Sequence, residues 1–186
     1  DIYDDSLWLI NLVENLLSVT RIEDGTMKLR LTAELLDEVI GEALHHTDRR
    51  GSRHHIRVVS CDEFMLVKVD ARLIMQVLIN LVDNAIKYTP PESEIVIGTR
   101  REGKWAVISV SDNGGGISDE AKPHIFDMFY TAGTKIADSR RSLGLGLALC
   151  RSIISAHGGT ITVADNRPHG TVFTFTLPIE EVTLHE

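Results

Sequence analysis

The sequence predicts an α/β fold: a two-layer sandwich in which a mixed sheet is covered on one face by three helices, with one further helix ahead of it. Three observations carry this. Ile95–Arg101, Trp105–Ser111 and Thr171–Leu177 are strand-length runs rich in β-branched residues. Longer stretches at 34–50, 70–89 and 144–157 repeat their apolar residues at helical spacing. Strands and helices alternate without an internal repeat, which suits one sheet with helices laid on it.

The elements follow in order. Residues 1 to about 23 form an amphipathic helix, with Leu9, Leu12, Val13, Leu16 and Leu17 on one stripe and Asp24-Gly25 ending it. One helix cannot bury its own stripe, so this one reads either as a core helix of the following domain or, more sharply, as half of a helical hairpin. Met27–Leu31 reads as a short strand. Glu34 to about Arg50 is helical through Leu35, Leu36, Val39, Ile40 and Leu44. Arg49–His55 is a polar loop, and Ile56–Ser60 and Phe64–Val69 are strands. The helix over 70–89 stops at Pro90-Pro91, which cannot continue it. A hairpin turns at Glu102-Gly103. Ser118 to about Phe126 is a short helix, and Thr131–Leu143 is an aperiodic polar segment. A helix follows the glycines at Gly144 and runs to His157. Thr160–Ala164 and Thr171–Leu177 close the domain as strands.

Composition narrows the function. The chain has 186 residues, enough for one domain and an appendage, and is 43% hydrophobic. A net charge of −8 argues against a nucleic-acid surface. Cys61 and Cys150 have no CxxC spacing and read as reduced thiols. No apolar run reaches the roughly 18 residues of a membrane span, and no signal peptide is visible. The chain begins at Asp1 inside a helical pattern, so it reads as a piece of a longer protein.

The central stretch is Asn80–Tyr88. On a helix Asn80, Asn84, Lys87 and Tyr88 share one face, and Ile74, Leu78, Leu81 and Ala85 the other. Amide oxygens suit magnesium, and a lysine one turn on can neutralise phosphate charge. Read alone, the face fits a solvated surface equally well. Downstream comes Asp112-Asn113-Gly114-Gly115-Gly116-Ile117, where glycines let the backbone approach a flat ligand. Asp112 there can accept a hydrogen bond from an adenine amine, whereas guanine would set two acceptors face to face. Gly144-Leu145-Gly146-Leu147 opens a helix whose N–H groups can hold phosphate. No strand leads into it and no third glycine follows, so it is no dinucleotide fingerprint. The 131–143 segment reads as a lid, with Lys135, Arg140 and Arg141 as solvated charges or polyphosphate contacts.

None of the eight histidines reads as catalytic. His45, His46, His54 and His55 read as solvated surface. His157 sits at a helix C-terminus, where a cation suits the dipole. His124, His169 and His185 show no partner in the sequence.

The ordered set is more specific than its members. Asn-x-x-x-Asn-Ala-x-Lys-Tyr, Asp-x-Gly-x-Gly-Ile, Phe-x-x-Phe-Tyr, Gly-Leu-Gly-Leu, His-Gly-Gly-Thr-Ile and Gly-Thr-Val-Phe-Thr-Phe-Thr-Leu-Pro occur in that order. From about 27 to 178 this strongly resembles the catalytic ATP-binding domain of bacterial two-component sensor histidine kinases, a Bergerat-type ATP fold. Cys150–Ile154, His157–Ile161 and Asn166-Arg167-Pro168 look most like a potassium-responsive branch of that family. Asn15–Glu23 resembles the second helix of the family's dimerisation hairpin. The resemblance implies a partial hairpin over 1–25, a catalytic domain over 26–180 and a tail over 181–186.

It also implies roles. Asn84 would ligate Mg²⁺, with Asn80 on the same shelf. Lys87 and Tyr88 would contact phosphate or ribose. Asp112 would read the adenine amine, and Gly114, Gly116 and Ile117 belong to the nucleotide-binding set, the glycines shaping the base pocket and the lid hinge. Gly144, Leu145, Gly146 and Leu147 would meet the phosphates, and Thr171 would lie under the base. The implied partners are ATP or ADP, the phosphoacceptor hairpin, a response regulator and a second copy in a homodimer. The implied place is a cytoplasmic domain of a membrane-anchored parent. Three positions depart from the pattern: Ser142 replaces a usual glycine, Thr131 a usual basic residue, and Gly115 a common proline. No histidine has the context of the family's phosphoacceptor, and His185-Glu186 lies outside any helical pattern.

Overall fold

The computed structural model describes residues 1–47, 53–130 and 145–181. Its helices are α1 (Ile2–Glu23), α2 (Leu36–His46), α3 (Ala71–Lys87) and α4 (Gly146–Ala156). Its strands are β1 (Thr32–Leu35), β2 (His55–Val59), β3 (Leu66–Val69), β4 (Glu94–Glu102), β5 (Trp105–Asp112), β6 (Ile161–Asp165) and β7 (Thr171–Pro178). Five strands form a sheet in the order β2-β4-β5-β7-β6. β2 and β4 are parallel and the remaining pairs antiparallel, so the sheet is mixed.

The sequence expectation of a single sheet needs correction. β1 and β3 pair with each other, Thr32 opposite Val69, in a separate two-stranded ribbon. One bridge, Val67 to Ile179, ties the ribbon to the chain just after β7. Alternation marks a strand, but its partners come from contacts far away in sequence. Met27–Leu31 is not a strand either. Met27 donates its N–H to the Arg21 carbonyl and Arg30 its N–H to Asp70, while Met27 and Leu29 rest on the core. The alternation there reflects one-sided packing without a ladder. The expected helix over 118–126 shrinks to a 3₁₀ turn at Lys122–His124, around Pro123.

α2, α3 and α4 cover one face of the sheet. Ile74, Val77, Leu78 and Leu81 of α3 meet Ile95, Ile97 and Ile108 of the sheet, all buried. Each such side chain contributes about 1.5–3 kcal/mol when buried. α1 lies outside this layer, against α4, and among the described residues its deepest contact is near its C-terminal end. Val19 is 1% exposed, and Glu23 faces the Ser152 hydroxyl at 3.3 Å. Leu9, Ile10, Val13 and Leu17 stay exposed.

His157 is not the helix-end cation that its position suggested. Its Nδ1 donates to the Ile153 carbonyl at 2.7 Å, and its Nε2 accepts the Asp70 N–H at 3.0 Å. An imidazole that accepts through Nε2 carries its proton on Nδ1 and is neutral. The ring therefore joins the end of α4 to the start of α3.

Candidate functional site

The site forms where β5 ends. Asp112 is 8% exposed, and a carboxylate that deep needs donors. Its Oδ1 accepts the N–H of Gly114 at 2.9 Å and that of Thr171 at 3.3 Å. Its Oδ2 has no hydrogen bond among the described residues, yet solvent reaches it. One oxygen is thus spent on orientation and the other is left as an acceptor.

The loop after Asp112 is clamped on two sides. A Cβ on Gly114 would fall 2.5 Å from the Thr89 Cγ2, so only glycine lets the loop lie against the end of α3. Thr89 is buried, donates its hydroxyl to the Ala85 carbonyl at 2.6 Å and meets His54 Nε2 at 2.8 Å. His54 is therefore half-buried beside the site, not on the solvated surface. On the other side lies the β6–β7 turn. Asn166 Nδ2 donates to the Asp112 carbonyl at 2.7 Å, and His169 Nδ1 to the Gly114 carbonyl at 3.1 Å. Gly116 faces the Gly170 carbonyl, and Ile117 packs on the core. Thr171 is buried directly after the turn.

α3 supplies the second half of the site. Asn80 Nδ2 donates to the Gly146 carbonyl at 3.4 Å, which brings the start of α4 to the polar face of α3. Asn84 is half-buried, and its side chain makes no hydrogen bond among the described residues. Lys87 and Tyr88 are exposed, the ammonium 5.2 Å from the ring centre. Leu145 is buried, Leu147 rests on the core, and no side chain caps the α4 N-terminus. The first-turn N–H groups of α4 are thus available to an anion. Gly144, Lys135, Arg140, Arg141, Thr131, Ser142 and His185 lie outside the described residues.

The structure thus links the predicted residues through short contacts, from Asn84 along α3 to Thr89, Gly114, Asp112 and Thr171. Sequence reasoning missed Thr89, His54, Asn166 and His169. The Asn166–Gly170 turn was visible as turn chemistry, but nothing local showed which loop it would face. Three more histidines make surface contacts: His46 with Glu42, His55 with Glu92, and His124 with Asp127. Among the described residues no group of three His, Cys, Asp or Glu side chains is placed to hold a metal.

Helices on one face of a mixed sheet, a buried carboxylate with one spare oxygen and a carboxamide shelf define a nucleotide-binding domain. The chain belongs to the histidine kinase-, DNA gyrase B- and HSP90-like ATPase family, whose model matches residues 69–181. It is an ATP-binding domain of the sensor histidine kinase type, and its homologues are enzymes. It is 44% identical over 179 residues to the sensor protein KdpD of Clostridium acetobutylicum, covering 96% of this chain and 20% of that protein. It is 40% identical over 168 residues to KdpD of Escherichia coli strain K12, covering 90% of this chain and 18% of that protein. The chain therefore spans about a fifth of these relatives. The solved catalytic domain of histidine kinase ThkA, in a nucleotide-free form, superposes with a TM-score of 0.69 at 36% identity, covering 82% of this chain and 96% of that one. ThkA has also been solved in complex with the response regulator TrrA, with a TM-score of 0.69 at 32% identity over 91% of this chain and 48% of that one.

Proposed function

We propose that this chain binds Mg·ATP and presents the γ-phosphoryl group to a histidine carried elsewhere in its parent protein, for relay to a response regulator. The observation that supports this most is the Asp112 carboxylate, held by two backbone N–H groups with Oδ2 left over. That acceptor matches the exocyclic amine of adenine and repels the carbonyl of guanine. Thr171 and Gly114 fix the carboxylate, and Gly116 and Ile117 complete the base side of the pocket.

The phosphates belong at the other half. The α4 N–H groups from Leu145, Gly146 and Leu147, joined by Gly144, offer donors and the positive end of a helix dipole. Asn80 keeps α4 at that position. Lys87 and Tyr88 reach phosphate or ribose. The residues present fit a magnesium ion: Asn84 has an uncommitted amide oxygen, and magnesium prefers to complete its octahedron with phosphate oxygens and water. Bound there, the ion would neutralise charge on the phosphates. The chain's own part is positioning and electrostatic stabilisation.

The parent is read as a KdpD-like, potassium-responsive, membrane-anchored homodimer. Residues 1–25 would be part of its dimerisation hairpin, 26–180 the catalytic domain and 181–186 a tail. α1 carries no histidine, so the acceptor would come from the other hairpin helix.

Calorimetric titration with ADP and GDP, each with and without Mg²⁺, tests this reading. ADP-selective binding that tightens with Mg²⁺ is expected. Asp112→Asn should weaken ADP about 10- to 100-fold, the worth of one hydrogen bond to a charged group, while leaving the fold intact. ADP affinity unchanged in that variant would remove the base-reading role.

A further inference from the structure

The geometry points to Asn166 and His169 as positioning residues that set the base-reading carboxylate without touching the nucleotide. The inference rests on the adenine reading of Asp112 given above.

The β6–β7 turn grips the Asp112 loop at successive backbone groups. Asn166 uses its own N–H to close the turn onto the Gly170 carbonyl at 2.9 Å. Its side-chain amide then donates to the Asp112 carbonyl at 2.7 Å. His169 donates to the Gly114 carbonyl at 3.1 Å. Gly170 presses against the same Asp112 carbonyl, since a Cβ there would fall 1.9 Å from its oxygen. The next residue, Thr171, donates its N–H to Asp112 Oδ1. Lys122, from the segment beyond the glycines, pairs with Asp165 at 2.8 Å and ties the same two loops further out.

The consequence is directional. Asp112 has its carbonyl held from one side and one carboxylate oxygen held from the other. Two fixed points leave the carboxylate plane little freedom, so Oδ2 keeps one orientation. Releasing the carbonyl lets the Asp112 backbone turn, and Oδ2 then competes for water or for the Gly114 N–H. A reader that must reorganise on binding loses affinity, and loses it selectively for the group it reads.

The test compares ADP with its 6-deamino analogue, purine riboside 5′-diphosphate, by calorimetry. The analogue lacks only the exocyclic amine. Wild-type protein is expected to prefer ADP by about 10- to 100-fold, one charge-assisted hydrogen bond. Asn166→Ala should weaken ADP by about three- to tenfold, leave the analogue nearly unchanged, and so bring the ratio towards one. His169→Leu, at an exposed side chain, carries the same test should Asn166→Ala fail to fold. In an Asp112→Ala background neither substitution should matter, because coupled residues are not additive. A wild-type preference that survives in both folded variants would overturn the inference and leave the adenine reading standing. Equal loss of both nucleotides would also overturn it, as a general structural effect. Equal wild-type affinity for the two nucleotides would remove the adenine reading, and the inference with it.

Discussion

Cys150 is buried on the inner side of α4, where burial pushes its thiol from an ordinary 9.0 up to about 12, against a smaller opposing effect of a hydrogen bond with Asn80. The unfolded thiol ionises above pH 9, and the folded one does not until about 12. Its contribution to stability is therefore complete below pH 9 and falls as pH rises, by up to about 1.4 kcal/mol per unit. Urea unfolding of wild type and Cys150→Ala between pH 8 and pH 11 separates this from other alkaline titrations. The variant should start less stable and lose stability less steeply above pH 9; parallel curves would contradict the assignment. The residues legible beforehand were those whose chemistry is set by near neighbours. Asp112 was one, since glycines follow it at once. Asn84 was another, because helical spacing alone sets it with Asn80 and Lys87 beside the buried stripe of Leu81 and Ala85. Asn166 and His169 were not legible, since their partners lie 54 and 55 positions away.

At the scale of elements, α3 and the β4–β5 hairpin could be read in advance because periodicity and turn residues specify them locally. The β1–β3 ribbon could not, since sheet membership depends on distant pairing. His157 shows the same limit. Position alone suggested a cation at a helix end, whereas the fold makes it a neutral link between α4 and α3. Its removal tests that link. His157→Ala leaves the buried Asp70 N–H without its acceptor, and such an orphan costs about 1–3 kcal/mol. Thermal or urea unfolding should show that loss, with His157→Gln recovering part of it through its amide oxygen. If His157→Ala were as stable as wild type, the bond to Asp70 would carry no weight in joining the two helices.

At the scale of the whole molecule, α1 carries an exposed apolar stripe. The catalytic layer closes on itself, with the helices burying one face of the sheet, but among the described residues α1 is fully buried at Val19 alone and half-buried at Leu12 and Leu16. Leu9, Val13 and Leu17 form a line at four-residue spacing, and Ile10 widens it; all four are exposed. Contiguous apolar surface of this kind seeks a partner. For this chain by itself a second copy presents the same stripe, which two-fold pairing can satisfy. The chain should therefore associate with rising concentration in sedimentation velocity. Val13→Glu combined with Leu17→Glu should hold it monomeric, because two buried carboxylates per helix cannot be desolvated without partners. ADP affinity should not change, as neither residue belongs to the Asp112 pocket or the Asn84 shelf. Association that persists in the double variant would place the contact elsewhere. A fall in ADP affinity would mean that α1 communicates with the site through Ser152 and α4.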